Sequence, residues 1–217
     1  MLRKILLTVC LITPVFCVAQ NGYQIELIVL SNINATSLES EDWPILTKNI
    51  INTANTVDLN VPNNTIEAVK SDDLLLTRQQ QRLNRYSAYK TIYHIAWRES
   101  LSQITKRTTV HIYGGKLYDN EGQVIKTVMN GTIPFSPDQH WELNGTVTIN
   151  LNHYFNADFI LLFALPAQQI ASITHDKQNY SGTFKYFQLM ESLRTKSHEL
   201  NFIDHPLYSV LFRIEPV

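Results

Sequence analysis

The sequence predicts an α+β fold in one domain, with a mainly antiparallel sheet and one main amphipathic helix. Three observations support this prediction. Short segments rich in β-branched and aromatic residues recur between turn-forming residues, giving about eight or nine strands. Strands and helices do not alternate as they do in parallel βαβ folds. A single segment, about residues 71–86, carries apolar residues at helical spacing over several turns.

The N-terminal segment has the features of a secretory signal peptide. Arg3 and Lys4 give it a positively charged start, an apolar stretch follows, and Cys17–Ala19 resembles a signal-peptidase site. We expect export with cleavage after Ala19, so that residues 1–19 are removed and residues 20–217 form the mature domain. The apolar stretch is too short for a permanent transmembrane helix, so stable membrane insertion is not expected.

Composition excludes several function classes. Both cysteines, Cys10 and Cys17, lie in the predicted signal peptide, so the mature chain lacks disulfides, thiol nucleophiles and cysteine-based zinc sites. The whole sequence has 18 basic and 19 acidic residues, a net charge of -1. Such a balance provides no positive field to attract nucleic acid, and no nucleic-acid partner is expected.

The mature domain is predicted to begin with a buried strand at residues 23–30, YQIELIVL. Residues 32–71 are polar and rich in asparagine, and we expect them to form an irregular connection. Ser71 or Asp72 then starts the predicted helix, which runs to about Tyr86. Its apolar stripe is expected to pack on a sheet, an interpretation that we favour over lipid binding.

Further strands follow from alternation and from turn residues. Gly114-Gly115 predicts a bulge or turn, Asp119–Gly122 predicts a tight turn, and residues 152–156 are expected to reverse the chain in a hairpin. Residues 168–182 are predicted to form a polar loop. The predicted strands are residues 89–97, 108–112, 124–128, 146–151, 158–165 and 184–192.

The C-terminal segment is predicted to form two strands joined at a corner. In the last strand, apolar residues alternate from Tyr208 to Ile214. The strand before it is expected to place His198, Leu200 and Phe202 on one buried face. Pro206 fits the start of a strand because proline has no amide donor, and Asp204 is expected to cap the corner by accepting hydrogen bonds from nearby amides.

Motifs for catalysis are absent from the sequence. The seven histidines fall in no strong motif, and the His198-Glu199 pair is not followed by a second histidine at metalloprotease spacing. No nucleophile elbow is present. We therefore expect no enzyme activity, catalytic residue, metal or cofactor. One alternative stays open, a pair of carboxylates that hydrolyses glycosidic bonds.

Binding is the chemistry that remains plausible. Aromatic side chains such as Trp97 can stack on sugar rings, although most aromatic residues are expected in the core. Basic side chains can bind the carboxylates of an anionic polymer. The predicted ligand-binding residues are Trp97, Arg98, Arg194, Lys196 and His205.

Six segments of the chain are distinctive as text: YQIELIVLSN, EDWP, RLNRYSAYKTIYHIAWRES, VHIYGG, LNGTVTINLNHYFNADFILL and LRTKSHELNFIDHPLYSVLFRIEP. In this order they resemble the CsiV family of Gram-negative periplasmic proteins. The most specific pieces lie at residues 94–98 and 198–206, and they make His94, Asp204 and Pro206 signature positions. The resemblance implies a non-enzymatic, peptidoglycan-binding protein that supports cell-wall synthesis and cell shape. It further implies a partner, an outer-membrane lipoprotein that activates a class A penicillin-binding protein. A protein-only adaptor is the remaining alternative.

Overall fold

The computed structural model describes residues 22–43, 46, 51–101, 107–129, 135–136, 139–174 and 182–217. The predicted signal peptide and its cleavage site after Ala19 lie outside the described residues. The described part contains eleven strands: β1 (Gly22–Ser31), β2 (Val57–Asp58), β3 (Ile66–Ala68), β4 (Lys90–Ser100), β5 (Thr108–Tyr118), β6 (Val124–Val128), β7 (His140–Leu151), β8 (Phe155–Pro166), β9 (Phe184–Thr195), β10 (Leu200–Asp204) and β11 (Tyr208–Pro216).

These strands form two sheets. The five-stranded sheet has the order β10-β11-β1-β4-β3, and all its neighbours are antiparallel. The six-stranded sheet has the order β2-β5-β7-β8-β9, with β6 also paired to β5. Its neighbours are antiparallel except β2 and β5, which run parallel. The predicted sheet-rich, antiparallel architecture is therefore confirmed, as is the predicted bulge at Gly114-Gly115, where the β5–β7 register shifts.

The core lies between the two sheets. On β1, the alternate residues Ile25, Leu27 and Val29 share one face, which is apolar and fully buried. Aromatic rings join the sheets across the core. The Phe163 ring stacks on Tyr208 with centroids 3.6 Å apart, and other ring pairs, such as Phe159–Phe212, extend the contact.

The predicted main helix is wrong in length. Instead of one helix over residues 71–86, a 3₁₀ helix forms at Ser71–Asp73 and a short helix, α2, spans Thr77–Leu83. The break has a clear cause, because the carboxylate of Glu26 on β1 accepts the backbone N–H groups of Leu75 and Leu76 between the two pieces. The amides of Leu75 and Leu76 therefore lie at the N-terminal end of α2, and the helix does not extend back to Ser71–Asp73.

Two other helices complete the described part. The segment predicted as irregular, residues 32–71, contains α1 (Ala35–Leu38) and the short strands β2 and β3. A third helix, α3 (Ala167–Thr174), occupies the start of the predicted loop 168–182, so that part of the loop prediction is wrong. It packs on the core through the buried Ile170 and the partly buried Ile173. Two apolar residues are too few to produce a recognisable helical period in the sequence.

The C-terminal strand pair forms as predicted, but two details differ. His198 lies in a turn with a φ of 68° instead of in the strand, which begins at Leu200. The apolar face of β10 is exposed, with Leu200 and Phe202 at 49% and 50%. The prediction that this face is buried is wrong because β10 is the edge strand. Among the described residues, the apolar cluster that contains Leu76 extends as far as Leu211 on the neighbouring strand β11.

Candidate functional site

The six-stranded sheet carries a line of polar side chains on the face that points away from the core. Thr109, Thr148, Asp158 and Ser192 are register partners on the neighbouring strands β5, β7, β8 and β9. Residues paired across antiparallel strands project to the same side of a sheet. These four residues therefore form a continuous polar row on the outer face of the six-stranded sheet.

Hydrogen bonds fix the side chains of the polar row. The Oγ1 atoms of Thr109 and Thr148 lie 2.9 Å apart, and the Ser192 hydroxyl donates to Asp158 Oδ1 at 2.8 Å. Arg107 forms an ion pair with the other oxygen of Asp158. The row borders an open groove of about 600 Å³, whose apolar side is formed by the exposed Ile160 and Met190.

Basic residues meet an aromatic ring at the end of the same face, where β7 turns into β8. Arg194 lies 5.0 Å from the ring centre of Tyr154, and the Lys196 ammonium lies 5.7 Å from it. Within the described residues, neither cation forms an ion pair with a carboxylate. We call Tyr154, Arg194 and Lys196 the basic corner. Their exposure leaves both positive charges available to an anionic ligand.

The outer face of the five-stranded sheet differs, because its polar groups are buried. Glu26 and His94 are 1% and 3% exposed, and His94 Nε2 lies 2.7 Å from Glu26 Oε1. The other ring nitrogen, Nδ1, lies 3.0 Å from Gln80 Oε1 on α2. The 3₁₀ helix and α2 thus cover this face, and a chain of hydrogen bonds holds them to it.

Hydrogen bonds outweigh burial at Glu26. Burial alone would raise the pKa of this carboxyl, but hydrogen bonds from His94 and from the amides of Leu76 and Leu75 lower the pKa below its ordinary value. Glu26 is therefore a fixed anion that fastens the covering segment to the sheet. His94, a predicted signature residue, is its buried partner.

Two predicted binding residues lie on β4, far in the topology from the basic corner. Trp97 has no exposed surface and its indole Nε1 donates to Glu99 Oε2 at 2.8 Å. Its predicted stacking on a sugar therefore lacks an accessible ring face. Arg98 is half-buried beside Gln24 on the covered face and donates to Gln24 Oε1 at 3.3 Å. The structure does not bring Trp97 and Arg98 together with Arg194 and Lys196.

His205, the fifth predicted binding residue, is part of the C-terminal corner. Its ring packs 5.2 Å from that of Trp43, and its Nδ1 accepts the backbone N–H of Leu207 at 3.2 Å. Burial lowers the pKa of His205, which agrees with an unprotonated Nδ1 that accepts a hydrogen bond. These contacts support a structural role for the ring.

The corner cap is supplied by His205, so the prediction that Asp204 binds nearby amides is wrong. Asp204 instead accepts from the Ser209 hydroxyl at 3.3 Å, across the last register pair of β10 and β11. The Asp204 carboxylate thus bonds to a side chain on β11, and the His205 ring bonds to the backbone amide of Leu207 at the corner. Pro206 follows at the turn between the strands, as predicted.

The described residues contain neither a cluster of metal ligands nor a membrane-spanning helix. Across the described ranges, no group of three or more His, Cys, Asp or Glu residues is arranged to hold a metal ion. The helices in these ranges are too short or too polar to cross a membrane.

Comparison with known proteins identifies the family. The family model described as "Peptidoglycan-binding protein, CsiV" matches residues 1–217, the whole chain. The chain belongs to the CsiV family. The resemblance inferred from the sequence is thus confirmed. No curated protein and no solved structure gives a significant match.

Sequence reasoning missed Tyr154, Arg107 and the polar row. One signal was available, because the predicted hairpin makes the strands of Thr148 and Asp158 neighbours. The observed turn, residues 152–154, places the two residues opposite each other, which a reversal over residues 152–156 would not do. The outer strands of the row, β5 and β9, join through long-range pairings that local patterns do not specify. Arg194 and Lys196 were predicted, but their common neighbour Tyr154 was not.

Proposed function

We propose that this member of the CsiV family is a periplasmic, non-enzymatic protein that binds peptidoglycan through the outer face of its six-stranded sheet. The family description supports the ligand. The observation that carries the proposed location is the continuity of the polar row, its groove and the basic corner on one open face. The predicted signal peptide supports export.

The chemistry of this face complements that of peptidoglycan. A wall polymer presents sugar hydroxyls, amides and carboxylates over a long, flat surface. The polar row offers hydroxyls and a carboxylate for hydrogen bonds, and Ile160 and Met190 offer an apolar surface to the sugar rings. Arg194 and Lys196 supply positive charge for the carboxylates of the polymer.

The wider role that we propose is support of cell-wall synthesis and cell shape through an outer-membrane lipoprotein that activates a class A penicillin-binding protein. This role comes from the sequence resemblance. If the partner contacts the protein directly, a pull-down of the lipoprotein should persist after muramidase digestion. Loss of the pull-down on digestion would instead mean that the wall bridges the two proteins.

Co-sedimentation with isolated sacculi tests the proposed surface. We expect the protein to pellet with sacculi and the double variant Arg194→Glu/Lys196→Glu to pellet at least tenfold less, because it reverses both charges of the basic corner. The matched control, Arg78→Glu/Arg82→Glu, reverses two exposed charges on α2 and should bind like the unmodified protein. Equal loss in both variants would contradict the location, and no pelleting above an albumin control would contradict wall binding.

Hydrolysis of peptidoglycan is the competing activity, and the residues that line the groove allow a specific test of it. Asp158 and Glu191 both line it, so a carboxylate pair would act there. We expect no release of soluble muropeptides from sacculi. Release that disappears in Asp158→Asn would replace the binding proposal with an enzymatic one.

A further inference from the structure

A second cavity lies at one end of the molecule, on the side where β1 ends and β4 begins. It has a volume of about 310 Å³. Its walls come from β1, β4, the bulge of β5, β6, β7 and α3. We call it the end pocket; the residues used below are Ser31, Lys90, Lys116, Met129, Glu142 and Gln169.

A buried carboxylate forms part of the wall of the end pocket. Glu142 is 2% exposed, and its Oε2 accepts the backbone N–H of Lys116 at 2.9 Å. The Lys116 ammonium lies 3.5 Å from Oε1, farther than a direct hydrogen bond. One carboxylate oxygen is thus held by the backbone, while the other forms a long ion pair with the partly exposed Lys116.

The backbone around Glu142 is shaped to fit this carboxylate. Gly115 has a φ of +78°, and a Cβ atom at this position would lie 2.8 Å from Glu142 Oε2. The β5 bulge at Gly114-Gly115 therefore allows the chain to pass close to the carboxylate, which a residue with a side chain would displace. The location of the negative charge is fixed by the fold.

Two tyrosine hydroxyls near Glu142 are buried and, within the described residues, have no hydrogen-bond partner. They belong to Tyr118 and Tyr208, which are 2% and 0% exposed. Burial, and next the charge of Glu142, raise the pKa of both hydroxyls, so both remain protonated. Neither tyrosine lines the end pocket, so among these three side chains Glu142 is the one that a ligand in the pocket can reach.

The rim of the end pocket carries the opposite charge. Lys90 is exposed at the start of β4, and within the described part of the chain no carboxylate pairs with it. Ser31 and Gln169 add polar groups to the wall, and Met129 adds an apolar one. A ligand for this pocket needs an ammonium group directed inward and a carboxylate at the rim.

We propose that the end pocket binds a zwitterionic amino-acid group, with its ammonium toward Glu142 and its carboxylate toward Lys90. The volume suits one amino-acid residue rather than a sugar chain. The inference rests on the proposed function and deepens it, because the stem peptides of peptidoglycan carry such groups. The glycan then lies on the outer face of the six-stranded sheet and a peptide end enters the end pocket.

Titration of the purified protein with meso-diaminopimelate, followed by NMR or calorimetry, tests the ligand class. Pimelate is the matched control, because it has the same carbon chain and both carboxylates but no ammonium group. We expect saturable binding of meso-diaminopimelate and at least tenfold weaker binding of pimelate. Equal binding of the two compounds, or no binding of meso-diaminopimelate, would overturn the proposal.

Variants locate the binding. Glu142→Gln keeps the size of the side chain and should weaken meso-diaminopimelate binding about tenfold by removing the inward negative charge. Lys90→Gln should also weaken it, and this exposed position tests the pocket without dependence on folding. Lys70→Gln, another exposed lysine outside the end pocket, should leave affinity unchanged. Unchanged affinity in both Glu142→Gln and Lys90→Gln would place the ligand elsewhere and refute the end pocket.

The two proposals can fail separately. Sacculus pelleting without meso-diaminopimelate binding would refute the end pocket and leave wall binding by the outer face intact. Binding of meso-diaminopimelate at the end pocket without sacculus pelleting would support the ligand class and contradict the proposed function.

Discussion

The outer faces of the two sheets carry similar polar residues, which are covered on one sheet and border an open groove on the other. On the five-stranded sheet, Glu26 and His94 are buried beneath α2 and bond to each other and to the covering segment. On the six-stranded sheet, Asp158 and Ser192 also bond to each other, but they border an open groove. Polar residues under a cover hold the fold together, whereas the same chemistry in the open is available to a ligand.

The largest expected effect is on the covered face. Glu26→Ala should lower the free energy of unfolding by about 3–5 kcal/mol, because it breaks a buried pair and leaves two backbone amides without their acceptor. Denaturant unfolding measures the loss. The matched change on the open face, Asp158→Ala, should cost no more than about 1 kcal/mol because its ion pair is partly exposed. Similar losses in both variants would remove the distinction between the faces.

A second prediction concerns Glu99, a buried carboxylate that accepts fewer hydrogen bonds than Glu26 does. Burial raises the pKa of Glu99 to about 7 from an ordinary value of 4.5, and the hydrogen bond from Trp97 only partly opposes the shift. Between these pH values the folded protein binds more protons than the unfolded chain, so the free energy of unfolding falls as pH rises. At about 1.4 kcal/mol per pKa unit, the fall attributable to Glu99 is about 3 kcal/mol.

Glu99→Gln should remove this pH dependence while keeping an acceptor for the Trp97 indole. The measurement is the difference in unfolding free energy between the variant and the unmodified protein at several pH values from 4.5 to 8. We expect the variant to gain relative stability as pH rises. A difference that does not change with pH would mean that the pKa of Glu99 is not raised.

The pH dependence of stability has the opposite sign at Glu26, whose pKa is lowered. The contribution of Glu26 to the free energy of unfolding is present above its ordinary pKa and is lost as pH falls through the lowered value.

The smallest expected effect is on the open face. Tyr154→Ala should reduce sacculus binding a few-fold and change stability by no more than about 1 kcal/mol, because the ring is exposed and orients two cations. Tyr154→Phe keeps the ring and should retain binding. Tyr86→Ala removes an exposed tyrosine just after α2 and serves as the control for general surface effects. Equal binding by Tyr154→Ala and the unmodified protein would exclude the ring from the site.

The strands were predictable because the sequence pattern of each strand is local. Alternation along β11 and the apolar residues of β1 identify both strands without reference to the rest of the chain. Glu26 illustrates the limit of such evidence. A carboxylate within a buried strand signals that a partner exists, but the partner His94 is 68 residues away and becomes its neighbour only through the β1–β4 pairing.

The candidate site was predictable only in part for the same reason. Arg194 and Lys196 are recognisable as basic residues, whereas their ring partner Tyr154 lies in a turn of a different hairpin. Trp97 shows the reverse error, since an aromatic residue that suits sugar stacking occupies the core instead. Whether a side chain faces solvent depends on which sheet covers it, and sheet packing is a long-range property.

The central position of β1 has a consequence for folding. This strand begins at Gly22 and pairs along its length with β11, which ends at Pro216, so the five-stranded sheet joins the first and the last strand of the described residues. A sheet of this kind cannot close until its last strand is available, and such non-local pairing is slow. Until β11 is available, β1 can pair through one edge only, with β4, and its other edge stays open to pairing with a strand of another chain.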